Sequence, residues 1–205
     1  MRSWNRVAAL AMAFALCGCL GTSSRTSFYT LSAQPGAPQG GVPATSAQPA
    51  PDAARVYVSI AQVAIPEMAD RRQLVVRTAP NRVEISDFHQ WAEPLKLGIA
   101  RTLAQDLAGE LGAGFVVLLG QSLGVTPGVR VFVDVQKFEA VAGQSVAVEA
   151  VWSVRPAKGE PRNGRSFAEE RTPTNDHAGI AAAYSRALAR VALDIGAAVP
   201  GSRPN

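Results

Sequence analysis

Apolar residues recur at a helical period in two stretches of the chain. In the first stretch, leucine or isoleucine stands at every fourth position, which places these side chains on one face of a helix. The pattern predicts a helix from Pro94 to Leu111, with the proline in the first turn and Gly112 as the C-terminal cap. The second stretch predicts a closing helix over residues 176–199, with Asn175 or Asp176 as its N-cap.

A two-residue alternation of apolar and polar side chains predicts strands in other parts of the chain. Strands are predicted at residues 55–64, 73–78, 82–86, 115–119, 129–138, 145–155 and 164–172. In the first of the two long strands, the valines from Val129 to Val135 share one face, and Phe138 is placed on the other. The short connection at Ala142 and Gly143 predicts a hairpin between the two long strands.

These elements predict an α/β sandwich with a mixed, largely antiparallel sheet. Two helices that each carry one apolar stripe need a sheet to cover. The hairpin excludes a purely parallel sheet, since parallel strands need longer connections. With 205 residues and 47% hydrophobic content, the chain has enough apolar material for one sizeable core.

The N-terminus has the organisation of an export signal. Basic residues precede the apolar run Val7–Leu16, which is too short to cross a membrane as a permanent helix. The residues Leu16–Cys19 resemble a bacterial lipobox, and Cys19 is the cysteine expected to carry acyl chains. Cys17 is the poorer candidate because a bulky leucine precedes it. We therefore expect residues 1–18 to be removed; the alternative is an ordinary secretory signal that is cleaved elsewhere.

A linker is expected between the lipid anchor and the folded domain. Residues 19–54 are interpreted as an acylated N-terminus followed by a segment rich in proline, glycine and alanine, which has too little apolar surface to fold alone. One apolar island, Phe28–Leu31, is more typical of an edge strand that docks on the domain than of free chain. The globular domain is expected over residues 55–199, and a flexible tail over residues 200–205.

Charge and cysteine content narrow the possible functions. The chain has 20 Lys and Arg, and without Arg2 and Arg6 of the expected signal, 18 remain against 16 acidic residues. This near balance argues against nucleic-acid binding, which needs clustered basic residues. Both cysteines precede residue 20, so neither a disulfide nor a cysteine-based zinc site is available to the domain. Leu20 follows Cys19, where lipoproteins of the inner membrane commonly have Asp, so the periplasmic face of the outer membrane is the expected location.

The sequence contains no enzyme signature. The two histidines, His89 and His177, have no nucleophilic motif and no metal partner at helical spacing, and we expect both to be exposed to solvent. Glycine-rich phosphate-binding motifs are also missing. The carboxylates Glu67, Asp70 and Glu93 are expected to form surface ion pairs with the neighbouring arginines rather than an acid–base pair. We therefore expect no catalytic residue, no metal and no cofactor apart from covalent acyl chains.

Two motifs are not generic: I-P-E-M-A-D-R-R-Q at 65–73 and W-A-E-P-L at 91–95. Together with Cys19, the Phe28–Leu31 island and Trp152, they resemble the PqiC-like family of ABC-type transport auxiliary lipoproteins, which accompany MCE-domain proteins. The resemblance implies an outer-membrane lipoprotein that meets a periplasm-spanning MCE-domain protein, in systems that move lipids between membranes and maintain envelope integrity. It also implies a three-layer fold related to anticodon-binding domains and a tendency to self-associate.

The two motifs supply the candidate partner-binding residues. These are Pro66, Glu67, Asp70, Arg71, Trp91, Glu93 and Pro94. For the first motif, an equally favoured interpretation is a tight loop whose charged side chains are solvated and bind no partner. A large aromatic just before a helix often packs in the core, and this is the favoured interpretation of Trp91, with partner binding as the alternative. A tethered domain without a catalytic set is expected to be a docking module; the other hypothesis is a lipid carrier, which needs an apolar cavity of about a few hundred Å³ between sheet and helices.

Overall fold

The computed structural model describes residues 25–34, 56–112, 115–120, 126–172 and 176–202. Ten elements follow one another in this part of the chain: β1 (Ser27–Tyr29), β2 (Val56–Ala64), β3 (Gln73–Ala79), β4 (Arg82–Trp91), α1 (Leu95–Leu111), β5 (Phe115–Leu119), β6 (Val129–Val141), β7 (Ser145–Pro156), β8 (Arg162–Arg171) and α2 (His177–Ala198). The expected signal, Cys19 and most of the expected linker lie outside the described residues.

All eight strands form one mixed sheet around β6. β2 and β3 lie on one edge of β6 and β7 lies on the other, because the residues of β6 that pair with β2 or β3 also pair with β7. The sheet continues from β3 through β4 to β1, from β2 to β5, and from β7 to β8. The longest ladders, β6 with β7 and β7 with β8, are antiparallel, whereas β6 is parallel to β2 and β3. The α/β class, the mixed sheet and the hairpin are confirmed.

The helices α1 and α2 pack against each other on one face of the sheet. Gly196 of α2 permits a close approach, because a Cβ there would lie 2.9 Å from Cγ of Glu110 in α1. On the other face, side chains of β6 such as Arg130 and Asp134 are exposed. The described residues thus form two layers, the sheet and the helices, where the resemblance implies three.

Both helices have the ends that the sequence predicts, to within one residue. α1 begins after Pro94 and ends before Gly112, whose φ of 73° suits glycine because it has no Cβ. α2 begins after Asp176, whose Oδ1 accepts the N–H of Gly179 at 2.6 Å. Of the two residues proposed as its N-cap, Asp176 has this role.

The space between sheet and helices is closely filled. The largest fully buried side chains there include Leu74, Ile99, Leu103, Leu107, Leu188 and Ile195. The rings of Phe138 and Tyr184 stack with their centroids 3.9 Å apart, and Trp91 lies beside both. The cavity next to this aromatic cluster has a volume of about 10 Å³, which is room for about one water molecule.

The predicted face of Phe138 is wrong. β6 has a bulge between Val135 and Lys137, where its register with β7 shifts. The extra residue, Gln136, moves the later side chains to the opposite face of the strand. Phe138 therefore points to the same face as Val135, towards the helices, and is 9% exposed.

The chain docks on the domain before its proline-rich segment. β1 pairs in parallel with β4 at the edge of the sheet, so the edge strand predicted for Phe28–Leu31 is confirmed. Leu31 is 2% exposed, and the N–H of Gln34 donates to Asp106 in α1. The folded unit therefore begins before residue 55. The residues between Gln34 and β2 connect two docked segments, so their length does not set the distance from the anchor to the domain.

Candidate functional site

The first motif joins β2 to β3 and lies beside β6. The pairing of β2 with β6 ends at Ala64, opposite Asp134, and the pairing of β3 with β6 begins at Val76, opposite Ala140. Between these positions, no strand of the described residues pairs with this edge of β6. The loop therefore borders a notch in the sheet, next to the bulge of β6.

Hydrogen bonds within the loop fix its shape. The carbonyl oxygen of Pro66 accepts the N–H groups of Ala69 (2.9 Å) and Asp70 (3.1 Å), which turns the chain tightly. Ala69 points inward and is 8% exposed. The outward side chains are those of Glu67, Met68, Asp70 and Arg71. The turn thus presents one apolar and three charged side chains on a rigid backbone.

A groove of about 80 Å³ occupies the notch. Its apolar wall is lined by Pro66, Met68, Ala69, Val75, Val83 and Phe138. Polar side chains of β3 and β6 line the remainder, including Arg77 and Glu139, which form an ion pair at 3.0 Å. Small-molecule sites usually have volumes of roughly 300–1,000 Å³. This groove is much smaller, and it suits a single apolar side chain of a partner.

The second motif ends β4 and begins α1, directly beside the loop. The N–H of Trp91 donates to the carbonyl of Arg72 at 2.7 Å, which joins the two motifs through the backbone. The indole of Trp91 is 5% exposed and packs against Phe138 and Tyr184. Its side chain is therefore part of the core, as favoured for it above, and lies below the surface that a partner would meet.

One carboxylate of each motif pairs with a basic residue of α1 rather than with the arginines beside it. Oδ2 of Asp70 lies 3.3 Å from Nζ of Lys96, and Oε1 of Glu93 lies 2.6 Å from the guanidinium of Arg101. Arg101 also donates to the carbonyl of Leu31 at 2.8 Å, so the segment after β1 is held at the same junction. Ion pairs therefore form at Asp70 and Glu93, but with other partners than predicted, because the fold places α1 closer than the neighbouring arginines. For Glu67 the expectation is wrong, since it pairs with none of the described residues.

Two charged candidates remain available to a partner. Glu67 and Arg71 are exposed and form no ion pair with any residue that the structure describes. Pro66 lines the groove, and Pro94 is exposed at the start of α1. Six of the seven candidate residues thus reach the surface at least partly, and Trp91 supports them from below.

The two histidines are stacked on each other at the start of α2. Their ring centroids are 3.7 Å apart and their planes differ by 7°. The hydroxyl of Tyr29 lies 2.8 Å from Nδ1 of His89, so β1 takes part in the same contact. Burial lowers the pKa of His177, and the nearby His89 adds to this, whereas Glu84 and Asp176 act in the opposite direction. The expectation that both histidines are exposed is wrong, since both are half-buried.

Asp106 in α1 holds the segment that follows β1. Its Oδ1 accepts the N–H of Gln34 at 2.9 Å, whereas its buried Oδ2 has no partner among the described residues. On α2, the hydroxyl of Ser185 accepts the N–H of Ser32 at 3.1 Å. Burial raises the pKa of Asp106 to about 6, and the hydrogen bond from Gln34 acts in the opposite direction. Both helices therefore hold this segment.

We expect Asp106→Asn to raise the free energy of unfolding by about 1–2 kcal/mol near neutral pH. The pKa of Asp106 in the folded state, about 6, exceeds its usual value of 3.8. The folded protein thus binds more protons than the unfolded chain between these values, and stability falls as the pH rises through them. Asparagine keeps an oxygen for Gln34 and removes the buried charge. Urea unfolding at about pH 4.5 and 7.5 measures the effect, and a variant less stable than wild type at the higher pH contradicts it.

Two further observations concern metal binding and membrane-spanning helices. Within the described ranges, no group of three His, Cys, Asp or Glu side chains is placed to hold a metal ion. In the same part of the chain, no helix has the length and apolar character needed to span a membrane.

Comparison with known proteins adds a family and a fold. The model of the family "ABC-type transport auxiliary lipoprotein component" matches residues 29–196. The crystal structure of an uncharacterized protein is similar with a TM-score of 0.66 and 20% identity, over 85% of this chain and 98% of that chain. A protein from Xanthomonas campestris is similar with a TM-score of 0.55 and 17% identity, over 69% of this chain and 81% of that chain. At these identities, the likeness shows the fold alone. No curated protein matches the chain.

Proposed function

Because this chain belongs to the ABC-type transport auxiliary lipoprotein components, we propose that it is a non-enzymatic docking subunit of a system that transports lipids between membranes. Acyl chains on Cys19 hold it at the periplasmic face of the outer membrane, and its partner is the MCE-domain protein of the same system. The observation that carries the proposal is the family match over residues 29–196, which reaches from the end of β1 into the last turn of α2.

The filled interior supports docking rather than lipid carriage. A carrier needs an apolar cavity between sheet and helices, and sites for small ligands have volumes of roughly 300–1,000 Å³. The cavity beside Trp91 and Tyr184 has about 10 Å³. A second one, between the sheet and the start of α2, has about 200 Å³, and polar side chains such as Glu84 and Ser86 take part in its lining. A surface depression of about 350 Å³ lies between residues 28–34 and α2, at the sheet edge. Its lining mixes apolar residues such as Phe28 with polar ones such as Ser32 and Gln34, which suits an acyl chain less well than an apolar cavity does.

The loop over residues 66–71 and the groove beside it form the proposed docking surface. Met68 is 51% exposed and lines the groove, between the charged side chains of Glu67 and Arg71. A partner that inserts one apolar side chain and offers charges on both sides of it fits this pattern. The two hydrogen bonds to Pro66 already hold the loop in shape, which lowers the entropic cost of binding.

Exchange of the two free charges tests the docking surface. In the Glu67→Lys, Arg71→Glu double variant, the two charges of the loop that form no ion pair with the described residues are both reversed, while the net charge and the core are unchanged. We expect about a tenfold loss of the MCE-domain protein that co-purifies with the full-length chain from detergent-solubilised membranes. The matched control is Lys158→Glu, Glu160→Lys, which makes the same exchange at the exposed turn after β7.

The proposal predicts that the control retains the partner. Equal recovery of the MCE-domain protein with both double variants contradicts docking through this loop. A second copy of this chain in the eluate, lost with the Glu67 and Arg71 exchange, also contradicts it, because the loop then serves self-association.

A further inference from the structure

The folded domain begins close to the proposed lipid anchor. Between Cys19 and Ser27, the first residue of β1, the chain has eight peptide steps. Fully extended, these steps reach at most about 28 Å. Since β1 is hydrogen-bonded to β4, its edge of the sheet cannot move farther than this from the acylated residue. The argument rests on the acylation of Cys19 in the proposed function.

The face of β1 and β4 that points away from the helices is apolar and exposed. Phe28 pairs with Gln90, and Phe88 lies two positions before Gln90 on β4, so both phenylalanines share one face. Their exposed fractions are 62% and 48%. Tyr29 and Trp91 lie on the opposite face, where they contact residues of α2. No helix or strand of the described chain covers the two phenylalanines.

The same apolar face continues towards β3. Ile85 is 42% exposed and pairs with Val75, which points away from the buried neighbours Leu74 and Val76. Next to Phe88, Asp87 accepts a hydrogen bond from Gln73 at 3.4 Å. Beyond Val75, at the groove, the charges of Arg77 and Glu139 are joined in an ion pair. Aromatic and aliphatic side chains with little net charge suit the boundary between lipid headgroups and acyl chains.

We infer that this face, centred on Phe28 and Phe88, lies against the surface of the membrane that carries the anchor. The short tether brings β1 to the bilayer, and the two phenylalanines insert between the headgroups. The domain therefore has a fixed orientation, with β8 at the far side of the sheet. The membrane is favoured over a protein partner here because the length of chain before β1 keeps this edge near lipid.

A single-cysteine experiment tests the orientation. Cys17 lies in the removed signal and the thiol of Cys19 is acylated, so a cysteine introduced by Phe88→Cys is the one free thiol of the mature chain. The acylated full-length protein is labelled there with a fluorophore and placed in vesicles of phosphatidylethanolamine and phosphatidylglycerol. Nitroxide groups near the headgroup end of the lipid chains act as quenchers. The matched control is Phe167→Cys on β8, where the side chain is 60% exposed.

We expect quenching at least about threefold stronger at position 88 than at position 167. If the chain is acylated and its positions 88 and 167 are quenched equally, this inference is overturned, while the proposed anchor remains intact. The inference is also overturned if the fluorophore at position 88 becomes buried as the protein concentration rises and is not quenched by the nitroxide lipids. In that case a second copy of the chain covers this face. A mature chain whose mass shows no acyl groups overturns both the anchor and the orientation.

Discussion

The Gly164→Ala variant is expected to lose about 3 kcal/mol of its free energy of unfolding. Gly164 pairs with Trp152 across β7 and β8. A Cβ at Gly164 would overlap the six-membered ring of the indole and lie 2.7 Å from its Cε2. The indole cannot easily move away, because it is 9% exposed and its Nε1–H donates to Oγ of Ser166 at 2.9 Å. Urea unfolding followed by tryptophan fluorescence measures the loss.

The Gly128→Ala variant is the control for this effect. The nearest atom to a Cβ there is Cγ1 of Val56 at 3.6 Å, which is an ordinary contact. We expect a change within about 0.5 kcal/mol. A Gly164→Ala variant as stable as the control contradicts the pairing of β7 with β8 that places the indole over the glycine.

The Cys19→Ala variant is expected to leave the membrane fraction almost completely, or to remain as an unprocessed precursor held by Val7–Leu16. Several acyl chains anchor a protein stably, at about 0.8 kcal/mol for each buried CH₂ group, and without them the mature chain loses this contribution. Transport should fall while the domain stays folded. Membrane fractionation and the mass of the mature N-terminus measure the outcome.

Cys17→Ala is the matched control and should behave as wild type. If Cys19→Ala fractionates with the membranes like wild type and Cys17→Ala does not, the expected cleavage site is contradicted. The experiment is independent of the orientation proposed for Phe88, because it reads the anchor alone.

The helices and most strands could be predicted from the sequence because their signals are local. The four-residue spacing of α1 and the two-residue alternation of β6 and β7 depend on neighbours a few positions apart. β4 extends to Trp91, five residues beyond its predicted end at Ser86, because its second half is held by pairing with β1. That pairing joins residues 60 or more positions apart, and no local pattern indicates it.

Other features depend on contacts that no local pattern encodes. The bulge at Gln136 turns Phe138 inward, and simple alternation gives the opposite face. His89 and His177 stack because β4 and α2 meet in the fold. A bulge and a long-range stack both depend on tertiary packing, so the sequence supplies no period from which to predict them.

The candidate site could be predicted in part. The two unusual motifs do lie side by side, joined by the hydrogen bond from Trp91 to Arg72. The pairing of Asp70 with Lys96 depends on the path of α1 past the loop. The role of Trp91 depends on which side of β4 faces the helices. The two unusual motifs therefore identify the region in the sequence, and tertiary packing decides which of its side chains a partner can contact.

Site-specific photo-crosslinking at Met68 in living cells tests the central claim, that this chain docks a transport partner, most directly. A photoreactive amino acid at this half-exposed position lies at the groove, and the same residue at Phe167 on β8 is the control. The account predicts a covalent product with the MCE-domain protein from position 68 and none from position 167. A product that contains only lipid or a second copy of this chain, or equal products from both positions, contradicts the account.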